Sequence, residues 1–137
     1  TAESCTGGLV AAVLTEISGS SAVVDRGVVT YSNVAKAELL GVPDDLLKSV
    51  GAVSEDVARA MAEGVIAHSK VDLAVSITGI AGPTGGSPGK PVGLVHFGAL
   101  RRGGTVRHER KIFADRDRSG VRLASVEQAL TMLDDLI

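Results

Sequence analysis

Between Val71 and Ile77, Leu73, Val75 and Ile77 alternate with the smaller Ala74 and Ser76. Such alternation specifies a β-strand, and its flanks limit the fold further. A helix pattern precedes it: Ser54 as cap, Glu55 and Asp56 in the first turn, then Val57, Ala58, Met61, Ala62, Val65 and Ile66 at helical spacing. After it comes a loop, Thr78 to Pro91, with five glycines and three of the four prolines. A helix feeding a strand that ends in a glycine-rich loop is a unit of an open α/β sheet, where ligands gather outside the carboxyl ends of strands. The loop is either a flexible connector or a stiffened cradle whose backbone approaches a ligand. Its place at a strand end favours the cradle.

The other segments fit the same class. Leu9, Val10, Val13, Leu14 and Ile17 predict a helix with one apolar face. Gly27 to Tyr31 reads as a buried strand, and Ser32-Asn33 caps a short helix, Val34 to Leu40, stopped by Gly41 and Pro43. Asp44 to Lys48 adds a turn. Gly93 to Leu100 and Thr105 to Phe113 form a hairpin around Arg101-Arg102-Gly103-Gly104, the second strand being partly exposed and an edge. Ser119 to Ile137 closes the chain as a helix expected to bury Leu123, Val126, Leu130, Leu133 and Ile137. The expected fold is α/β, a single three-layer domain: a mixed sheet with a hairpin and helices on both faces.

A length of 137 residues suits one domain with its own core, and 45% apolar against 22% charged residues excludes disorder. The sequence has no run of about 18 apolar residues, so no membrane span is expected. Cys5 is the only cysteine, so no internal disulfide forms and a reducing, cytoplasmic setting is expected. The chain opens inside a strand-to-turn pattern without Met, so a strand or helix is expected to precede Thr1. Net charge is −2, yet from Arg101 to Arg122 eight basic residues face three acids. With one Tyr, two Phe and no Trp, stacking platforms for nucleic acid are scarce. The basic tract suits a phosphate-bearing small molecule or a solvated face.

Thr1-Ala2-Glu3-Ser4-Cys5-Thr6-Gly7-Gly8 leads into the first helix, with Ser4 or Thr6 as candidate N-cap. Such a turn gathers unpaired backbone N–H groups where the helix dipole favours negative charge. A hydroxyl there is a cap, a phosphate ligand, or a nucleophile beside a ready oxyanion site.

No cofactor or metal is expected. His68, His96 and His108 have no ligand spacing, and Cys5 has no CxxC partner. Gly79-x-x-Gly82-x-x-Gly85 is not a dinucleotide fingerprint, and Ser4 sits in neither GxSxG nor SxxK. What remains is Ser4, Tyr31 and Lys36 with two glycine turns. If Asn33 is the N-cap, Lys36 falls in the first helical turn, where the dipole and burial both favour a free amine. Such an amine takes a proton from a serine hydroxyl, with Tyr31 relaying or orienting it. Alternatively, Lys36 simply reaches solvent from a surface helix.

Five stretches carry a resemblance: T-A-E-S-C-T-G-G-L at the start, D-R-G-V-V-T-Y-S-N-V-A-K from Asp25, G-A-V-S-E-D-V-A from Gly51, I-T-G-I-A-G-P-T-G-G from Ile77 and K-P-V-G-L-V from Lys90. In this order, over essentially the whole chain, they resemble the C-terminal domain of the competence/damage-inducible protein CinA family. Members of that family are similar to deamidases of nicotinamide mononucleotide (NMN), which hydrolyse its carboxamide to nicotinate mononucleotide and ammonia in pyridine-nucleotide salvage. The resemblance implies Ser4 as nucleophile and Lys36 as base with Tyr31 beside it. N–H groups around Cys5, Thr6, Gly7 and Gly8 would hold the oxyanion. Thr78, Gly79, Ala81, Gly82 and Arg118 would hold the rest of the substrate. A homo-oligomer, dimer favoured, is the expected assembly.

One departure concerns the family's Phe-x-Gly-Asp-Arg pattern, which here reads Phe113-Ala114-Asp115-Arg116-Asp117-Arg118. Either Arg116 or Arg118 matches the family's arginine; the spacing to Val121 and Arg122 favours Arg118. Family members often carry an N-terminal pyrophosphatase-like domain. Two rival readings are a non-catalytic module that binds a pyridine nucleotide or another phosphate, and a competence or DNA-repair accessory protein.

Overall fold

A computed structural model describes residues 1–137. Its elements are β1 (Ala2–Glu3), α1 (Leu9–Thr15), a 3₁₀ turn (Ser20–Ala22), β2 (Val28–Val29), α2 (Asn33–Leu40), α3 (Asp44–Val50), α4 (Glu55–Ala67), β3 (Leu73–Gly79), β4 (Leu94–Arg101), β5 (Arg107–Ile112) and α5 (Arg118–Asp134). The five strands form one mixed sheet in the order β2-β1-β3-β4-β5. β2, β1 and β3 run parallel, whereas β4 and β5 form the expected antiparallel hairpin, with β5 at the edge.

Alternation along the central strands sorts side chains between two cores. Val75, Ile77, Val95, Phe97 and Ala99 face α1 and α5, where Val10, Val121, Ala129 and Met132 complete the packing. Ala74 faces the other way, toward Val57, Met61 and Val65 of α4 and Leu40 and Leu47 of α2 and α3. On this side α4 also lies close against β4. A Cβ on Gly98 would lie 2.6 Å from the Ala58 carbonyl, which itself accepts the Ser76 hydroxyl at 2.5 Å. The helices therefore cover both faces, and the three-layer α/β expectation holds. No helix is long and apolar enough to cross a membrane.

Three local expectations are corrected. β2 is a two-residue edge strand with Val29 and Tyr31 exposed, not a buried strand, because no further strand lies outside it. In α1 only Val10 is fully covered; Val13 faces solvent, and Ile17 lies beyond the end of the helix and is exposed, since the helix is short and packs mainly on α5. In α5, Leu123 is exposed, as is Ile137 beyond its end; Val121, Ala124, Ser125, Val126, Ala129 and Met132 are the buried residues. Small residues on that face let the helix lie close to the sheet, which a search for large apolar residues overlooks.

The basic tract has specific partners. Arg102 donates to the carbonyls of Ile66, Ser69 and Val71 beyond the end of α4, and Arg101 and Arg107 donate to Leu136 and Asp135 at the end of α5. Cations there satisfy open carbonyls and complement the helix dipoles. On the α4 side of the hairpin, His96 Nδ1 lies 2.9 Å from His108 Nε2, and His108 Nδ1 lies 3.5 Å from Glu55.

Candidate active site

The turn after β1 is held from inside by a residue the sequence reading passes over. Glu3 is fully buried, and its carboxylate accepts the N–H groups of Gly8, Val10 and Ala11 at 2.8–3.1 Å. These are open donors at the start of α1, so Glu3 does the work expected of a serine or threonine cap. The N-cap itself is Gly8, at φ +103°, a conformation that side chains rarely adopt. Neither Ser4 nor Thr6 caps the helix. The Ser4 hydroxyl is left for another use.

That use follows from strand register. Ala2 pairs with Val28 and Glu3 with Val29, so the chain beyond β1 runs beside the chain beyond β2. Thr30 N–H donates to the Glu3 carbonyl at 2.9 Å, which sets Ser4 beside Thr30. The next helix, α2, begins at Ser32, whose hydroxyl accepts Ala35 N–H, and it turns Lys36 back toward this point. Lys36 Nζ lies 3.1 Å from Ser4 Oγ, 2.8 Å from the Thr30 carbonyl and 3.4 Å from the Tyr31 carbonyl. The lysine is 1% exposed and makes no salt bridge. It does not reach solvent from the helix surface.

Burial without a counter-charge pushes the Lys36 amine below the ordinary lysine range. The cause is desolvation more than the helix dipole: with Ser32 as N-cap, Lys36 stands one position further in than Asn33 as cap would place it. A neutral amine has two N–H donors and one lone pair. In that form the two carbonyls, which can accept only, would take the two donors and leave the lone pair for the Ser4 hydroxyl. Burial acts oppositely on the neighbouring thiol, pushing Cys5 up to about 11. Cys5 is therefore a protonated thiol at neutral pH.

Ser4 and Lys36 lie in a cleft of about 240 Å³, with walls of Cys5, Tyr31, Ala52, Val53, Thr78, Gly79, Ala81 and Arg118. It opens at the carboxyl ends of β1 and β3, as the position of the glycine-rich loop predicts. No carboxylate lines it; its charged groups are basic. Arg118, at the start of α5, spans the mouth, donating to the Gly82 carbonyl at 2.8 Å and to the Tyr31 hydroxyl at 3.2 Å. One turn further along α5, Arg122 donates to the carbonyls of Cys5 at 3.1 Å and Thr6 at 3.3 Å.

Of the residues singled out from sequence, Ser4, Cys5, Tyr31, Lys36, Thr78, Gly79, Ala81 and Arg118 meet at the cleft, whereas Thr6, Gly7, Gly8 and Gly82 do not line it. The Tyr31 hydroxyl points to Arg118 rather than to Lys36; the tyrosine meets the lysine through its backbone carbonyl. The N–H groups of Gly7 and Gly8 already bond to the Ser4 carbonyl and to Glu3, so they are not open to an oxyanion. Cys5 N–H has no partner within the chain and belongs to a wall residue. Gly79 lacks a side chain for a packing reason: a Cβ there would lie 2.7 Å from Val95. Arg116 lies over the Phe113 ring, away from the cleft. The sequence reading missed Glu3, Arg122, Ala52 and Val53. Glu3, Ala52 and Val53 lay inside stretches that carried the resemblance, and Arg122 entered only as a spacing mark.

Comparison with known proteins gives concordant matches. A family model described as the CinA C-terminal domain matches residues 1–137. The chain is 53% identical over 137 residues to the nicotinamide-nucleotide amidohydrolase PncC of Enterobacter agglomerans, covering 99% of this chain and 83% of that protein. It is 51% identical to a CinA-like protein of Akkermansia muciniphila, covering 98% of this chain but only 32% of that longer protein. Among solved structures, the competence/damage inducible protein CihA from Agrobacterium tumefaciens superposes with a TM-score of 0.96 at 55% identity, covering 98% of this chain and 82% of that one.

Proposed function

The chain belongs to the CinA C-terminal domain family, and on that premise we propose that it is an amidohydrolase that deamidates nicotinamide mononucleotide through Ser4. The substrate is taken from the name of the Enterobacter agglomerans relative. The observation that carries the chemistry is the buried Lys36 amine, without a carboxylate, 3.1 Å from the Ser4 hydroxyl.

Lys36 removes the Ser4 proton as Oγ attacks the carboxamide carbon, and the carbonyl oxygen becomes an oxyanion that accepts the Cys5 N–H. The proton then passes from Lys36 to the leaving nitrogen. Ammonia departs, leaving a nicotinoyl ester on Ser4. Water, deprotonated by the same amine, cleaves that ester to give nicotinate mononucleotide and restore the serine. One well-placed oxyanion donor is worth about 2.7–4 kcal/mol of barrier. Cys5 is a poor rival nucleophile, because its thiol stays protonated. The basic cleft suits a phosphate and a product carboxylate, and Arg118 at its mouth is the group we assign to the 5′-phosphate. Arg101, Arg102 and Arg107 of the hairpin hold backbone carbonyls at or beyond helix ends, which weakens the nucleic-acid reading.

Incubating the purified chain with NMN and measuring ammonia tests the proposal. Ammonia in many-fold excess over protein supports it. NMN binding without ammonia would favour the non-catalytic module instead.

A further inference from the structure

We infer that Arg122 is a positioning residue for this reaction: through two backbone peptide groups it holds and polarises the Cys5 N–H that receives the oxyanion. The inference rests on the amidohydrolase reading above. Its path can be followed atom by atom. Arg122 Nη2 donates to the Thr6 carbonyl at 3.3 Å. The N–H of that same Thr6–Gly7 peptide donates to the Ser4 carbonyl at 3.1 Å. The N–H of the Ser4–Cys5 peptide is the Cys5 donor, which has no partner inside the chain. Hydrogen bonds arranged head to tail polarise one another, so a cation at one end strengthens the donor at the other. Arg122 Nε also donates to the Cys5 carbonyl at 3.1 Å, fixing the middle of the turn.

Placement of the arginine supports a role in the site rather than in the helix. Arg118 and Arg122 both lie in the first turns of α5, where the dipole disfavours cations, and the one acid at that end, the N-cap Asp117, is engaged with the Gly120 N–H. Each reaches off its helix to the site, Arg118 to the mouth and Arg122 to the back of the nucleophile turn. Glu3 grips the same turn from its other end, through Gly8, Val10 and Ala11. With both grips in place, Ser4 Oγ and Cys5 N–H keep one relative position.

The test compares wild type, Arg122→Met and Arg122→Lys in the full chain. Three quantities are measured: ammonia release from NMN, affinity for the aldehyde analogue of NMN, and affinity for nicotinate mononucleotide. Serine attack on the aldehyde makes a tetrahedral adduct with an oxyanion, whereas the product makes none. Arg122→Met should lower kcat roughly 10- to 100-fold, less than the 10²–10³ of losing a whole oxyanion donor, with KM nearly unchanged. Aldehyde affinity should fall by a similar factor and product affinity should hold. Arg122→Lys, which keeps the charge, should recover part of the loss; it also decides the matter if Arg122→Met does not fold. An unchanged kcat, or equal losses of aldehyde and product affinity, would overturn the inference while leaving the amidohydrolase reading intact. A wild type that releases no ammonia would remove both.

Discussion

Lys36 Nζ lies 3.1 Å from Ser4 Oγ although 32 residues separate them in sequence. The contact is produced by the parallel pairing of β1 with β2, which sets Ser4 beside Thr30, and by the turn into α2. Burial makes the contact chemically useful, because a lysine without water or a counter-charge favours its neutral form.

Rate should therefore depend on pH through Lys36. Its folded pKa is lowered by desolvation, and the base is active only when neutral. Activity should rise with pH along a limb centred below the about 10.4 of free lysine. Lys36→Met should remove the limb together with most of the activity, a loss of about 10²-fold or more. An active Lys36→Met with an unaltered pH–rate profile would move the base elsewhere.

This pair was half legible in the sequence. Ser4, Tyr31 and Lys36 stood out once common motifs were excluded, but only the resemblance joined them, because pairing of two-residue strands leaves no periodic trace. The mixed sheet, its hairpin and α4 were readable from alternation, caps and glycine turns, whereas the strand order was not. The buried face of α5 was not, since Ala124, Ser125 and Ala129 pack by being small. Glu3 was hidden for a different reason. A buried carboxylate that caps a helix from the preceding strand looks, in sequence, like any charged residue near a turn.

Arg118 and Arg116 should separate cleanly. Arg118→Ala should raise KM for NMN far more than for its dephosphorylated riboside, by roughly 10- to 150-fold, the worth of one charged hydrogen bond. Arg116→Ala should leave both nearly unchanged, because its guanidinium lies over Phe113. Competition kinetics with the two substrates checks this. The opposite ranking would place the phosphate on the other arginine.

His96 should make the fold sensitive to acid. Desolvation first, then His108 and Arg110, hold its folded pKa at about 4 against an ordinary 6.5. Below 6.5 the unfolded chain takes up a proton that the folded chain refuses, so stability falls as pH drops toward 4 and then levels. The loss from this group is up to about 3 kcal/mol. Denaturant unfolding of wild type and His96→Gln across this range should show a shallower slope in the variant, with a residue left to His108. Equal slopes would assign the acid sensitivity to other groups.

The central claim is that the nicotinoyl group passes through Ser4, and mixing enzyme with excess NMN, quenching in acid and weighing the protein tests it most directly. Quenched during turnover, with deacylation the slower step, wild type should gain the mass of one nicotinate mononucleotide acyl group on the peptide containing Ser4. Ser4→Ala should gain none and release no ammonia, while still binding NMN. Ammonia release by Ser4→Ala at the wild-type rate would contradict the account and leave a directly activated water as the nucleophile.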